Sequence, residues 1–600
     1  MIINKSRTLA LSLAILCTSL LQACGGAQAG SSSESSDNSS ANKTNRQLWL
    51  NGEIYTVNKA QPWAEAMVIE KGQLLFVGQE SEAKTWVNEN TQIHDLKGKT
   101  VLPGLHDVHL HPLEASSEEI QCILDSSKTV SAWVSNIKAC AQQNPPAANG
   151  NGTSGSGTNG EWLLGWGYSI LTLVESSTEP RKLLDAINDS RPIAIMEETS
   201  HSVWVNSKAL ELLELDGIIT EQKIAGGAVL LNEQGKATGV LLDGAGDLAF
   251  DMAMAETPER LERNYQSLLA GLDEVAKNGI TSIVDARIYW QRGYLKAWQR
   301  ARDEDALTAR SVLSLWAYPN INDEAQIKHL ASLYENDVDS MLRINQIKFY
   351  SDGITHNATS ALLAPYEAGA YYDEVGPVGL NYFDEKRLTH YATELSKVGF
   401  NMHIHAIGDR AVRESLNAIE AAQLANKSPS NKGIGRHRLT HVEMVADIDK
   451  KRFAELDVIA DFQLAGEFTH PENFEEMEPL IGERAHSQLP VRDIYDTGAV
   501  VTLSSDWDVS SLSPFVGMQN ALTRGAQSLP DLASVIEAYT INGAYVMDQD
   551  HITGSIEVGK EADFIIIDQN PFEIDLNKIS EIKVLKTILA GETVYQSESQ

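Results

Sequence analysis

Short runs that alternate apolar and polar residues open and close the patterned part of the chain. Longer apolar runs followed by helical periodicity fill its middle. Between residues 47 and 99 the alternation predicts strands at 48–51, 54–56, 66–70 and 74–77, separated by turn dipeptides such as Asn51-Gly52 and Lys71-Gly72. The same character returns at 563–568 and 584–595, with Ala590-Gly591 as a turn. Strand-like apolar runs stand at 193–196, 280–284, 345–349, 401–405, 437–441 and 500–503, and a 3.6-residue period marks helices at 260–278 and 386–398. Strand and helix alternating over roughly 400 residues predict a parallel sheet with crossover helices, most simply an α/β fold of the TIM-type (β/α)8 barrel kind. The two β-rich ends are expected to join in one small composite β domain, two separate β appendages being the other arrangement the pattern allows. This gives a signal peptide at 1–24, a flexible tether at 25–45, β-domain parts at 46–102 and 551–600, and a barrel at 103–550.

The first segment reads as an address. Lys5 and Arg7 precede an apolar run, 9–21, that is short for a bilayer span. The run ends in Leu21-Gln22-Ala23-Cys24-Gly25, which resembles the bacterial lipobox, in which the cysteine carries lipid; an ordinary cleaved signal is the alternative. Gly25 in place of Asp lacks the inner-membrane retention pattern, so the expected location is exported, anchored to the outer membrane and facing the periplasm. Residues 25–44 and 144–160 are rich in Ser, Asn and Gly and read as a tether and a surface loop.

Composition narrows the partners. Forty-eight basic against 82 acidic residues give a net charge of −34, which phosphate backbones would repel, so nucleic acid is excluded as a partner. Four cysteines exclude a disulfide-dense scaffold and a cysteine-based zinc ribbon. Cys122 and Cys140, the two in the body of the chain, either bridge after export or remain two buried thiols.

The sharpest chemical signal is Pro103-Gly104-Leu105-His106-Asp107-Val108-His109-Leu110-His111. Histidines at i and i+2 on a strand share a face, so His109 and His111 can reach one cation, whereas His106 faces away and reads as structural. This segment resembles the opening motif of the amidohydrolase superfamily. Further matching features are His201-Ser202-Val203-Trp204-Val205-Asn206-Ser207, Gly239-Val240-Leu241-Leu242-Asp243, Lys348-Phe349-Tyr350-Ser351-Asp352-Gly353, His405-Ala406-Ile407-Gly408-Asp409, Arg438-Leu439-Thr440-His441 and Ser505-Asp506. The chain is similar in particular to the family 3 branch that includes N-substituted formamide deformylases.

The resemblance implies a metal centre held by His109, His111, Lys348, His405, His441 and Asp506. His403 shares the strand face of His405, and either has the geometry of a ligand; the family position favours His405. Lys348 matches a lysine that carbon dioxide can convert to a bridging carbamate between two divalent ions, zinc being the ion such histidines suit. A Glu three residues after His405 would mark a deaminase, and Gly408 stands there instead. Asp506 is the implied catalytic proton shuttle. His201 is a candidate substrate-binding group, local packing being its other reading.

The expected function is hydrolysis of an amide or related non-peptide C–N bond of a small molecule. An ester or phosphotriester hydrolase on the same centre and a non-catalytic ligand-binding lipoprotein are the alternatives. A homo-oligomer is compatible with everything above.

Overall fold

The computed structural model describes residues 46–146, 162–221, 224–427 and 435–598. These lie in one compact unit, Thr44–Gln600. The signal segment, Cys24, the tether and most of the loop at 144–160 fall outside the described residues.

Eight parallel strands form the central sheet in chain order: Leu105–Leu110, Ile280–Ile288, Arg310–Trp316, Leu342–Tyr350, Asn401–Ala406, Arg438–His441, Ile459–Gln463 and Val501–Ser504. They are called barrel strands one to eight below. After strand eight, Asp506 N–H donates to the His109 carbonyl (2.8 Å) and His111 N–H to the Trp507 carbonyl (2.7 Å), joining that end of the sheet to strand one. The TIM-type barrel expected from periodicity is therefore present.

The strands carry apolar residues outward onto the helices and polar ones inward. Strand four illustrates this. Leu342, Ile344, Ile347 and Phe349 join the apolar shell, and Phe349 packs edge-on against Phe383 and Tyr391. The register slips by one residue between the pairs Leu313–Ile344 and Ser314–Gln346. This bulge at Asn345 changes the parity, so that Arg343, Gln346 and Lys348 all share the face of Val312, Ser314 and Trp316. The same face continues through His403 and His405 to Arg438 and Thr440, and on to Asp461. The helices that close the turns match the predicted pattern: Pro258–Lys277 and Glu385–Val398, capped by Thr257 and Asp384.

The two chain ends meet in a six-stranded sheet. Its central pair is Thr100–Pro103 antiparallel to Phe564–Ile567, with Val101 opposite Ile566. Trp49, Ile54, Met67, Val101, Phe564 and Ile588 fill the space between it and a neighbouring four-stranded sheet. One composite β domain is thus what the ends build.

One expectation is corrected. The run at 193–196 is not a barrel strand. Ile193–Glu197 lies inside a separate six-stranded sheet inserted between barrel strands one and two, spanning Cys122–Ile123 to Ala237–Asp243. Its apolar clusters, around Trp133, Tyr168 and Trp204 and around Val203, Leu241 and Phe250, are its own. A short apolar run buried on both faces looks alike in either sheet. Cys122 on its edge strand is bonded to Cys140 on the helix Val130–Gln143.

Candidate metal centre

The carboxyl ends of barrel strands one, four, five, six and eight bring the predicted ligands together. Nε2 of His111 lies 3.1 Å and Nε2 of His109 lies 3.3 Å from the same oxygen, Oδ1 of Asp506. Lys348 Nζ lies 3.3 Å from His109 Nε2, and His441 Nδ1 lies 4.0 Å from Asp506 Oδ2. The rings of His405 and His441 are 4.5 Å apart and those of His109 and His441 5.0 Å. Donor atoms 2.0–2.1 Å from a tetrahedral ion stand roughly 3.3 Å apart, so this spacing fits one.

Two of these residues need unusual backbone to get there. Thr440 faces inward, so regular alternation would turn His441 outward. Left-handed backbone at His441 (φ 73°) and Val442 (φ 50°) returns it to the site, and Asp506 is placed by φ 53°.

Hydrogen bonds fix which ring nitrogen is free. Thr440 Oγ1 gives its one proton to Asp461 Oδ2 (2.9 Å), so it accepts from His109 Nδ1 (2.7 Å), leaving His109 Nε2 as a lone pair. The Gly353 carbonyl can only accept, so His405 Nε2 donates to it (3.1 Å), and the buried Nδ1, which has no partner, keeps its lone pair. His403 is the opposite case. Arg438 Nη2 can only donate, so His403 Nδ1 accepts (2.7 Å) and Nε2 carries the hydrogen. His109, His403 and Asp461 do place atoms within 4.8 Å of one another. That knot, however, is already filled by Arg438, Ser314, Thr440, Thr502 and Ser504.

The electrostatics favour neutral His109, Lys348, His405 and His441 around an anionic carboxylate that is paired with a protonated His111. Burial holds the Lys348 amine and the His109 and His405 imidazoles well below their ordinary values and pushes His441 down to about 3. Burial and Arg287 would lower His111 too, but the Asp285 carboxylate 3.9 Å from its Nδ1 and the hydrogen bond to Asp506 raise it to about 9. Burial would raise Asp506, yet the His111 hydrogen bond and the charges of His441 and His111 hold it well below the usual carboxylate range. A divalent ion requires deprotonated donors, so a cation held here would displace a proton from His111.

Around the centre stand groups that the sequence reading assigned no role. Arg287 donates to Tyr350 Oη (2.9 Å) and to Glu114 (3.2 and 3.1 Å), and Tyr350 stacks on His405 at 4.3 Å. Asp352 accepts from the backbone of Ala361, Ile407 and Gly408. A Cβ at Gly408 would meet the Ala361 carbonyl at 2.0 Å, which is why no larger residue fits where a deaminase would carry its glutamate. His201, from the inserted sheet, reaches the same rim with its ring 5.3 Å from His405. Nothing in local spacing marks Thr440, Asp461 or Asp243, because each acts through a residue distant in sequence. His437 accepts from Met402 N–H at the far end of its strand, and His106 meets the Gly104 carbonyl, so neither joins the centre.

Comparison with known proteins gives a consistent picture. The sequence profile described as the amidohydrolase family matches residues 92–595. The chain is similar to an N-substituted formamide deformylase of Arthrobacter pascens, at 25% identity over 91% of this chain and 98% of that protein. It is likewise similar to the putative amidohydrolase YtcJ of Bacillus subtilis, at 24% identity over 92% and 99%. Among solved structures, an uncharacterized metal-dependent hydrolase from Pyrococcus horikoshii shares the fold, with a TM-score of 0.66 at 22% identity over 89% of this chain and 99% of that one.

Proposed function

The chain belongs to the amidohydrolase family, and on that premise we propose that it is a metal-dependent hydrolase of small-molecule amide C–N bonds. The observation that carries this is the convergence of His109 and His111 Nε2 on one oxygen of Asp506, at 3.3 and 3.1 Å, beside the buried Lys348 amine. His109, His111, Lys348, His405, His441 and Asp506 would hold one or two divalent ions, and the imidazole-rich donor set suits zinc. When bound, the metal supplies a Lewis acid and a water acidified toward neutral pH.

The side chains do the rest. Asp506, kept ionised by the His111 hydrogen bond, takes the proton of the attacking water on one carboxylate oxygen and returns it to the departing nitrogen. Thr440 and the Gly353 carbonyl keep the rings of His109 and His405 from turning. Lys348 is fully buried, and burial favours its free amine, the form that adds to carbon dioxide with loss of a proton to give an anionic carbamate.

The test is metal stoichiometry beside turnover. Purified protein loaded with zinc should hydrolyse N-substituted formamides or N-acyl amino acids, lose this with a chelator and regain it with the ion. Hydrolysis of esters or phosphotriesters alone would move the assignment to that bond class, and metal without turnover of any of these would favour a binding protein.

We further propose that the protein is exported and held at the outer membrane, facing the periplasm, by lipid on Cys24, which closes the Leu-Gln-Ala-Cys signature. Among the described residues no helix is long and apolar enough to cross a membrane. Cys24→Ser should move the protein from the membrane to the soluble fraction or block its processing; wild-type protein released by osmotic shock would refute the lipid anchor.

A further inference from the structure

The inserted sheet sends one side chain to the carboxyl ends of the barrel strands. Its loop between Ile193–Glu197 and Ser202–Val205 carries His201, whose ring stacks on Tyr350 (5.4 Å, 17° between planes) and lies 5.3 Å from His405. Its Nδ1 is 2.7 Å from Asp243 Oδ1. A carboxylate oxygen accepts, so Nδ1 is the donor, and in the neutral ring Nε2 keeps the lone pair. Among the described residues the ring's one side-chain hydrogen bond is this one through Nδ1, and His201 is 7% exposed.

The orientation is determined several times over. Asp243 N–H donates to the His201 carbonyl (2.8 Å), and Tyr382 Oη donates to Asp243 Oδ1 (3.0 Å). Both flanking elements accept left-handed backbone to do this, Asp243 at φ 49° and Ser200 at φ 63°. Strain of this kind persists where the surroundings impose it, and it collects at functional sites. A bare core histidine would not need it, nor would it leave its second nitrogen open beside the centre.

We propose that His201 Nε2 accepts the hydrogen of the scissile nitrogen, with Asp243 as its positioning residue, so that the site selects amides bearing N–H over esters and N,N-disubstituted amides of the same shape. This rests on the hydrolytic reading above. A site built to hydrogen-bond a substrate N–H rejects analogues that lack it, because its buried acceptor is then left unpaired.

The test uses the zinc-loaded full chain and two probe series. The first is N-benzylformamide, N-benzyl-N-methylformamide and benzyl formate. The second is N-acetylphenylalanine, its N-methyl counterpart and O-acetylphenyllactate. For each, kcat/KM of the variant is divided by that of wild type. His201→Phe should lower the secondary amide about 10–100-fold and change the ester and N-methyl probes less than about threefold. His201→Gln, which retains an acceptor, should recover part of the loss, and Asp243→Asn should shift the same ratio by a smaller factor. Metal content and far-UV circular dichroism equal to wild type separate the effect from misfolding; if the Phe variant does not fold, the ratio in the Gln and Asn variants decides. Equal losses on all three probes, or an unchanged amide rate, overturn the proposal while leaving the hydrolase assignment standing. No hydrolysis of either series by fully metallated wild type overturns both.

Discussion

The barrel interior and the inserted sheet each deliver histidines to one site, and they do so by different physics. In the barrel, His109, Lys348 and His405 arrive on strands whose ladders set their register, His111 stands one residue past its strand, and bonds to Thr440 and the Gly353 carbonyl hold the rings of His109 and His405. In the insertion, His201 stands on a loop and is held by Asp243, Tyr382 and strained backbone. Register is maintained by many bonds at once, whereas a loop depends on a few. The chemical centre and the group proposed to select its substrate therefore reside on parts of the chain with different means of support.

The largest expected effect is in the barrel. Asp506→Asn keeps the side-chain volume and removes the base, so kcat should fall about 10²–10⁴-fold while bound metal is retained. His109→Ala, by contrast, should lose metal as well. Measuring metal content beside turnover distinguishes the two, and full activity in Asp506→Asn would remove it from the mechanism.

The insertion should fail through stability. The Cys122–Cys140 bridge closes a loop with a separation of 18 residues, worth about 3 kcal/mol in the chain-entropy model. Replacing both by Ser should lower the unfolding midpoint and raise amide exchange within 122–243 more than in the barrel strands. Uniform loss of protection over both regions would contradict their separate support.

A pH effect of similar size belongs to the seam between the two. Glu197 is buried, and burial pushes its carboxyl up to about 7 although Asn357, Thr199 and Ser202 donate to it. A carboxyl raised from its ordinary value near 4.5 binds a proton more tightly when folded. Its contribution, roughly 3 kcal/mol, is therefore present below about pH 4.5 and lost as pH rises through about 7. The drop in stability between pH 5 and 8.5 should be smaller in Glu197→Gln than in wild type. An equal drop would mean that other groups cause it.

The smallest effect sharpens the barrel side. Thr440→Val removes the acceptor of His109 Nδ1 without touching the centre. Metal affinity should fall about 10–100-fold, and Thr440→Ser should restore it. Isothermal titration of the metal-depleted protein with zinc reads this directly.

Strand-end chemistry was the legible part. His109-x-His111 is exposed by a two-residue period, and Lys348, His405, His441 and Asp506, each at or beside the end of an apolar run, were picked out by motifs that resemble the family's. The composite β domain was legible as well, because alternation at both ends repeats. The run at 193–196 misled, since a buried strand in one sheet has the same composition as a buried strand in another.

Local covalent sequence thus determined the alternation that predicts the barrel and puts His109 and His111 on one face, while the other ligand candidates came from the family resemblance. Only the tertiary structure decided the rest. Whether His403 or His405 keeps a lone pair depends on Arg438 and Gly353. The bulge at Asn345 decides that Lys348 points inward, and left-handed backbone at His441 and Asp506 decides that they do. His201 meets the centre only because the inserted sheet packs its loop beside His405 and Tyr350. These hydrogen-bond partners come from residues tens to hundreds of positions away, and nearest-neighbour patterns carry no record of them.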